Sequence, residues 1–382
     1  MHDATCLHIV RNPVSHDSRV LKETCAVGES GLFDKLEIAG FHEAGFAEAE
    51  DLDGRTIHRV RLTSRPLPKD LLSQSVKYAE WYARLVSRYR RQSLRVIHCH
   101  NLWPLSIGVL LKRLTGAKLI YDAHELQTET VGNGGLRQKM ARRAERFLMP
   151  RVDAMITVSP SIKDWYQKRY PKKSIHLVRN IPKVPDSLTN IVPLREQFSV
   201  PKNALLFLHL GGLSEGRGIE ATLDAFQRPE VPHHILFMGA GPLAARVKEA
   251  EQRCARVHHR EPVPPAEVLA HVAGADVGVS LYEDTCLNHR YCLPNKLFES
   301  LLAGIPVVVS DLPDQAAIVR ERQAGWVVSP TADSIAERLA SLSSEEGRVV
   351  RKKLPERVAD LRWQTEENTL ISVYRKLLSV ST

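Results

Sequence analysis

The segment Pro294-Asn295-Lys296-Leu297-Phe298-Glu299 puts an ammonium in the first turn of a helix and a carboxylate one turn further along. A helix start offers backbone N–H groups with no intrahelical partner, so together with Lys296 it suits a phosphate. Glu299 can accept hydrogen bonds from the hydroxyls of a sugar. A second helix start follows Leu210-Gly211-Gly212-Leu213-Ser214-Glu215-Gly216-Arg217-Gly218, where glycines allow close backbone approach and Arg217 can clamp phosphate oxygens. A third follows Met238-Gly239-Ala240-Gly241-Pro242-Leu243-Ala244. Its G-x-G-x-x-A spacing is that of a dinucleotide loop. Against that reading, Pro242 stands where a pyrophosphate would come close, and only Glu261 lies near the distance of a ribose-binding acid. Each start taken singly also reads as a capped helix or a tight turn. Three in one half of the chain point to a phosphorylated ligand.

The elements that must position these residues are short apolar strands alternating with helical stretches. Expected strands are 5–10, 35–39, 56–62, 96–100, 118–122, 154–158 and 175–178, then 205–210, 234–238, 277–281, 307–309 and 326–328. Helical patterns lie between them at 18–29, 71–91, 105–114, 136–149 and 219–226. This alternation specifies an α/β protein of two doubly wound Rossmann-like domains, with ligands at the carboxyl ends of strands and in the cleft the domains face. The proline-rich stretch from Ile181 to Pro201 reads as the linker. The expected division is residues 1–182, a linker 183–202, a second domain 203–344 and a helical segment 345–382 packed on a domain surface.

Apolar content of 43% and charged content of 25% are those of a soluble globular chain. There is no run of 18 apolar residues and no basic, apolar N-terminal signal pattern, so a cytoplasmic protein is expected. The six cysteines form no C-x-x-C pair and read as reduced thiols. Residues 1–185 hold 31 Lys and Arg against 19 Asp and Glu, a net of +12, and the remainder holds 22 against 25, a net of −3, so an anionic partner is expected for the first half only.

The ordered set in the second half resembles the nucleotide-sugar domain of retaining glycosyltransferases of the GT-B class, in the large family 4 (glycosyl transferases group 1), of the bacterial surface-polysaccharide type. The matching features are Arg217-Gly218 after the Gly-rich strand end, the Gly239-Ala240-Gly241-Pro242 turn, the acid in Ala275-Asp276-Val277, and Glu299 ahead of a Pro-Val-Val strand. By this resemblance Glu299 binds the nucleotide ribose and Arg217 the diphosphate. Tyr291 stands where many members carry a second Glu that touches the donor sugar, and Gly212 where many carry Arg. A branch with a P-x-K-x-x-E helix start matches Pro294 to Glu299, so Lys296 is assigned part of the diphosphate charge. Gly211, Gly212, Gly241, Tyr291, Asn295 and Glu299 form the expected donor-binding set.

In the first half, His98-Cys99-His100-Asn101 and Tyr121-Asp122-Ala123-His124-Glu125 end successive strands. An H-x-H in a strand puts both rings on one face, which a metal could use, but no third ligand stands at good spacing, and no metal is assigned. His124 resembles the family's strand-end His near the donor sugar and acceptor. Asn101, Glu125, His16 and Arg19 are assigned to the acceptor side, while Asp17 reads as the cap of helix 18–29. Two further helices carry apolar stripes with Arg-rich backs. Tyr78, Trp81, Leu85 and Tyr89 lie among Arg84, Arg88, Arg90 and Arg91, and Leu136, Met140, Ala144, Phe147 and Leu148 lie among Arg137, Lys139, Arg142, Arg143 and Arg146. Both stripes are expected to pack inward, leaving a basic surface suited to an anionic membrane or a diphosphate-linked acceptor. No aromatic-basic motif supports nucleic acid.

The resemblance implies transfer of a sugar from a nucleoside-diphosphate sugar, a UDP-sugar, to a glycan or lipid-linked acceptor at the inner face of the cell membrane. His124, Arg217 and Lys296 would be the catalytic set, with no further cofactor. It also implies retention at the anomeric carbon, with the leaving phosphate taking the acceptor's proton. A nucleotide-sugar epimerase of the same architecture, a nicotinamide-dependent oxidoreductase using Gly239–Ala244 and an inactive nucleotide-sugar sensor remain as alternatives.

Overall fold

The computed structural model describes residues 4–15, 17–68, 70–131, 134–185 and 188–379. The chain divides into two units, Met1–Arg179 with Glu366–Thr382, and Asn180–Thr365.

The first unit is built on eight strands: β1 (Thr5–Ile9), β2 (Lys35–Phe41), β3 (Ala49–Leu52), β4 (Arg55–Val60), β5 (Leu94–His100), β6 (Lys118–Ala123), β7 (Ala154–Thr157) and β8 (Ser174–Leu177). Their order is β3-β4-β2-β1-β5-β6-β7-β8. All pairings are parallel except β3 with β4. The chain winds outward from β1 through β2 and β4, then returns to the other side of β1 as β5, so the strand order reverses between β1 and β5. Loops at the carboxyl ends of those two strands splay apart and leave room for a ligand. The antiparallel β3 was not among the expected strands. Asp53 and Gly54, at φ 52° and 75°, turn the chain between β3 and β4 in the primed geometry that matches strand twist.

The second unit has six strands, β9 (Leu206–Leu210), β10 (His234–Met238), β11 (Val257–Arg260), β12 (Val277–Ser280), β13 (Val307–Ser310) and β14 (Gly325–Val328). They run parallel throughout, in the order β11-β10-β9-β12-β13-β14. This is the doubly wound dinucleotide-fold order, with its reversal between β9 and β12. A core of Phe207, Phe226, Ile235, Phe237 and Val279 fills one face of the sheet. Leu206, Leu208, Leu236 and Ile305 belong to a second core cluster. Alternate strand residues thus face opposite layers, as buried parallel strands require.

Helix boundaries follow local chemistry. The helix Ser18–Glu29 is capped by Asp17, whose carboxylate accepts from the backbone N–H of Val20. The helix Leu102–Thr115 stops at Gly116 in the left-handed conformation. The helix Asn295–Leu302 begins directly after Pro294. The segment expected as one C-terminal surface element is two helices, Ser344–Arg357 and Trp363–Ser379. From Glu366 onward the latter belongs to the first unit. Its Glu366 carboxylate accepts from the Arg179 guanidinium at 2.6 and 2.8 Å and from the Arg179 backbone N–H at 2.7 Å.

Candidate functional site

In the second unit, the reversal between β9 and β12 gathers the predicted donor residues. Gly211 leaves β9 at φ 101°, with open space where a Cβ would stand. A Cβ at Gly212 would touch the Arg217 guanidinium. Tyr282, just past β12, supplies a ring faced by two cations. The Arg217 guanidinium lies 5.6 Å and the Lys296 ammonium 5.0 Å from its centroid. Arg217 also donates to the Tyr282 hydroxyl at 3.3 Å.

Lys296 is the unusual member. It is 6% exposed, and its Nζ has no hydrogen-bond partner. Burial, followed by repulsion from Arg217, lowers its pKa to about 7. A buried, unpaired ammonium beside a guanidinium is unfavourable unless an anion completes the group. His289 abuts Tyr282 with ring centroids 5.5 Å apart, and burial and Arg217 hold it below the usual histidine range. His209, fully buried at the end of β9, is depressed by burial and then by Lys296 and Arg217. The two charges that depress His209 are therefore both cationic and both lie at this switch point. Asn295, Glu299 and Tyr291 are half-buried, the first two on the helix that carries Lys296 and Tyr291 just before it.

Sequence reading missed Tyr282, His289 and His209. A histidine in the apolar run Leu206-Phe207-Leu208-His209-Leu210 was the available signal. Asp276 lies at the amino end of β12, where it pairs with Arg195 and accepts from the Leu206 N–H at 2.7 Å. It therefore holds the opposite end of the sheet from Lys296. The Gly239–Ala244 loop is also explained without a cofactor. A Cβ at Gly239 would overlap the carbonyl oxygen of Gly211, and one at Gly241 that of Leu213. These glycines let two loops pack against each other; a dinucleotide loop keeps that space for pyrophosphate.

In the first unit, His124 follows β6 with its side chain 18% exposed, and its Nε2 lies 3.0 Å from Asp122 Oδ2. Asn101, at φ 70°, accepts from the His124 backbone N–H at 3.2 Å. Glu125 is half-buried beside it. Arg19, expected on the acceptor side, is 2% exposed and forks onto both Asp122 oxygens at 2.8 and 2.9 Å. Its guanidinium is needed there as the counter-charge of a buried carboxylate. His16 lies outside the described residues. His98 and His100 do share one face, their rings stacked 4.4 Å apart. The fold adds what the spacing lacked, because one ligating atom each from Glu23, His98, His100 and Asp122 lie within 4.8 Å of one another. A cation could use that set, but Arg19 already contacts Glu23 at 2.9 Å and Asp122 at 2.8 Å. A guanidinium so placed opposes a second positive charge.

One stripe departs from expectation. In the helix Gly135–Leu148 the buried residues are Ala141, Glu145 and Leu148, with Glu145 accepting from the Tyr166 hydroxyl at 2.7 Å. Leu136, Met140 and Phe147 are instead 70%, 59% and 63% exposed. The Tyr78 stripe does turn inward, with Trp81, Leu85 and Tyr89 fully buried.

Residues 33–180 match the family model of the glycosyl transferase 4-like domain, and residues 204–345 that of glycosyl transferases group 1. The chain is a glycosyltransferase built from these two domains. Comparison with curated protein sequences gives no match. Among solved structures the transferase resembles sucrose-phosphate synthase from Thermosynechococcus elongatus at 17% identity, covering 99% of this chain and 100% of that one, with a TM-score of 0.80. It also resembles Anabaena HepE in complex with UDP-glucose, at 13% identity over 97% and 99% of the two chains and a TM-score of 0.73. A third is WaaG, a glycosyltransferase involved in lipopolysaccharide biosynthesis, at 14% identity over 96% and 98% with a TM-score of 0.67. These likenesses bear out the expected fold of two Rossmann-like domains. The epimerase and oxidoreductase alternatives draw no support from the matches. Among the described residues no helix is long and apolar enough to cross a membrane.

Proposed function

We propose that this transferase moves a sugar from a UDP-sugar to a glycan or lipid-linked acceptor, with retention at the anomeric carbon. The observation that carries the reading is the buried, unpartnered ammonium of Lys296 beside Arg217 at the switch point of the second sheet. A diphosphate supplies the missing anion. As the bond from the anomeric carbon to the diphosphate oxygen breaks, negative charge grows on the leaving group, and both cations stabilise it electrostatically. The acceptor oxygen bonds to the same carbon on the same face, and its proton passes to the leaving phosphate. Glu299 accepts from the ribose hydroxyls. The open Gly211-Gly212 turn and the helix start at Asn295 present backbone N–H groups, and Tyr291 lies toward the donor sugar. His124, Asn101 and Glu125 contact hydroxyls of the acceptor or of the sugar in transit. That Anabaena HepE was solved with UDP-glucose supports a uridine donor.

The test is a panel of nucleotide sugars scored for free nucleoside diphosphate, with thermal shifts in UDP, GDP and ADP and the anomeric configuration of the product read by NMR. Release from no member of the panel, or product of inverted configuration, counts against the corresponding part of the proposal.

A peripheral membrane location rests on a separate observation. Leu136, Met140 and Phe147 share the exposed surface of one helix with Arg137, Lys139, Arg143 and Arg146. Apolar side chains ringed by cations suit the interface of an anionic bilayer, which is where a lipid-linked acceptor resides.

A further inference from the structure

Behind His124 the first unit holds a polar array with no access to water. His8, on β1, and His98 and His100, on β5, are each at most 1% exposed, as are Glu23, Asp122 and Tyr374. Five contacts link all of these except Glu23 to His124. His124 Nε2 lies 3.0 Å from Asp122 Oδ2 and 3.1 Å from His100 Nδ1. His100 Nε2 lies 3.0 Å from His8 Nδ1, and His8 Nε2 lies 3.1 Å from the Tyr374 hydroxyl. That hydroxyl lies 2.6 Å from His98 Nδ1.

The direction of every proton in the array follows from one fact. An ionised carboxylate only accepts, and burial of Asp122 is outweighed by Arg19 and the neighbouring imidazoles, which hold it well below the usual carboxylate range. His124 Nε2 must therefore carry a proton. His100 Nδ1, facing that N–H, must accept. The rings of His8, His98 and His100 are neutral, because burial pushes each below the usual histidine range, at His98 against the hydrogen bond and charge of Asp122. Each then has one proton to give. His100 donates from Nε2 to His8, His8 from Nε2 to Tyr374, and Tyr374 its hydroxyl proton to His98. The last proton, on His98 Nε2, faces Asp122 Oδ2 and Glu23 Oε2 at 3.7 and 3.8 Å. The opposite sense would set His100 N–H against His124 N–H at 3.1 Å, in exchange for a 3.4 Å contact between His100 and Asp122.

We propose that Asp122 and His100, as positioning residues, fix neutral His124 in the tautomer with its proton on Nε2 and a bare Nδ1, an acceptor for a sugar or acceptor hydroxyl. Among the described residues no hydrogen bond is made at Nδ1. This rests on the assignment of His124 to the transfer reaction, but the tautomers do not. Tyr374 sits on the helix that follows the second unit in sequence, so a residue far along the chain completes the array behind a strand-end histidine of the first unit.

The experiment is a long-range proton–nitrogen NMR correlation on the full-length protein labelled with nitrogen-15 in histidine. The expected result is Nε2 protonation for His8, His98, His100 and His124. A proton on His124 Nδ1, or fast averaging between its two nitrogens, overturns the proposal on the wild-type protein alone. Tyr374→Phe removes the acceptor of the His8 Nε2 proton but leaves Asp122 and His100 facing His124, so His124 should keep its Nε2 proton in this variant. A His124 proton that moves to Nδ1 in Tyr374→Phe would show that Asp122 and His100 do not set the tautomer, and overturns the proposal. A wild-type protein inactive on every donor sinks the transfer assignment and leaves the tautomer result standing.

Discussion

Lys296 gives the sharpest numerical test of the site. With its pKa lowered to about 7 by burial and by Arg217, it is about nine-tenths neutral at pH 8 in the free protein. A diphosphate in contact with Nζ should return it toward the ordinary lysine value of about 10.4. Binding at pH 8 must then take up about 0.9 proton, and affinity should fall by a factor approaching ten per pH unit above about 7, roughly 50-fold between pH 7 and 9. His209 and His289, both held below the usual histidine range, and Cys292, pushed by burial up to about 12, do not titrate in this window in the free protein. Isothermal titration with UDP at pH 8, in two buffers of different ionisation enthalpy, reads the proton directly. Lys296→Arg should abolish uptake while keeping the charge, and Lys296→Met should abolish uptake and weaken binding. The stability sign is opposite. A base whose folded pKa is lowered costs stability below about 7, and the cost fades as pH rises toward 10.4. Lys296→Met should therefore stabilise the nucleotide-free protein at pH 7, on the order of 4 kcal/mol. Uptake near zero at pH 8, or an unchanged pH slope in Lys296→Met, would refute the argument.

Four further outcomes are expected. Glu299→Ala should weaken UDP binding by about 1.5–3 kcal/mol with little change in the ligand-free melting temperature, and unchanged affinity takes Glu299 out of the site. Arg217→Ala should lower turnover by roughly 100-fold, and chelator should have little effect; activity lost to chelator and restored by magnesium or manganese contradicts the charge assignment. Arg19→Met leaves the buried Asp122 carboxylate without its guanidinium. It should cost about 3–5 kcal/mol in denaturant unfolding, and a loss below 1 kcal/mol means Arg19 is not the counter-charge. Co-sedimentation with anionic vesicles should fall steeply with salt, and Leu136, Met140 and Phe147 changed together to Ser should abolish it without changing nucleotide binding. Equal binding to neutral vesicles contradicts the charge component.

Where local chemistry decides structure, the sequence was informative. Asp17 as a cap and the Pro294 helix start are short-range rules, and both elements stand where they were expected. The same kind of rule was available at Asp53-Gly54, a strong hairpin signal that was overlooked because Ala49-Glu50-Asp51-Leu52 is too polar to read as a strand. Val257-His258-His259-Arg260 escaped for a similar reason, as an edge strand with a single apolar residue. The inward face of Gly135–Leu148 was misread because a buried Glu145 replaces an apolar residue in the stripe that faces the core. Lys296, Arg217 and Glu299 were legible as a set, but the missing partner of Lys296 was not, since only the packed structure shows what surrounds Nζ. The histidine array was beyond reach for the same reason. His8 and His100 are 92 positions apart, and His98 and Tyr374 are 276 apart.

The return of the helix Trp363–Ser379 to the first unit makes the order of synthesis matter. A nascent chain that has emerged only as far as Arg179 carries every strand of the first sheet but neither Glu366 nor Tyr374. His8 and His98 then lack the hydroxyl that joins them, and the Arg179 guanidinium lacks its carboxylate. The second unit has all its own strands between Asn180 and Thr365 and can complete its core first. An excised 1–179 fragment should accordingly be prone to aggregation, and a segment covering 366–379, supplied in trans, is the natural rescue. Gene fusions or permutations that separate this helix from residues 1–179 would interrupt maturation even though they touch no residue near Lys296.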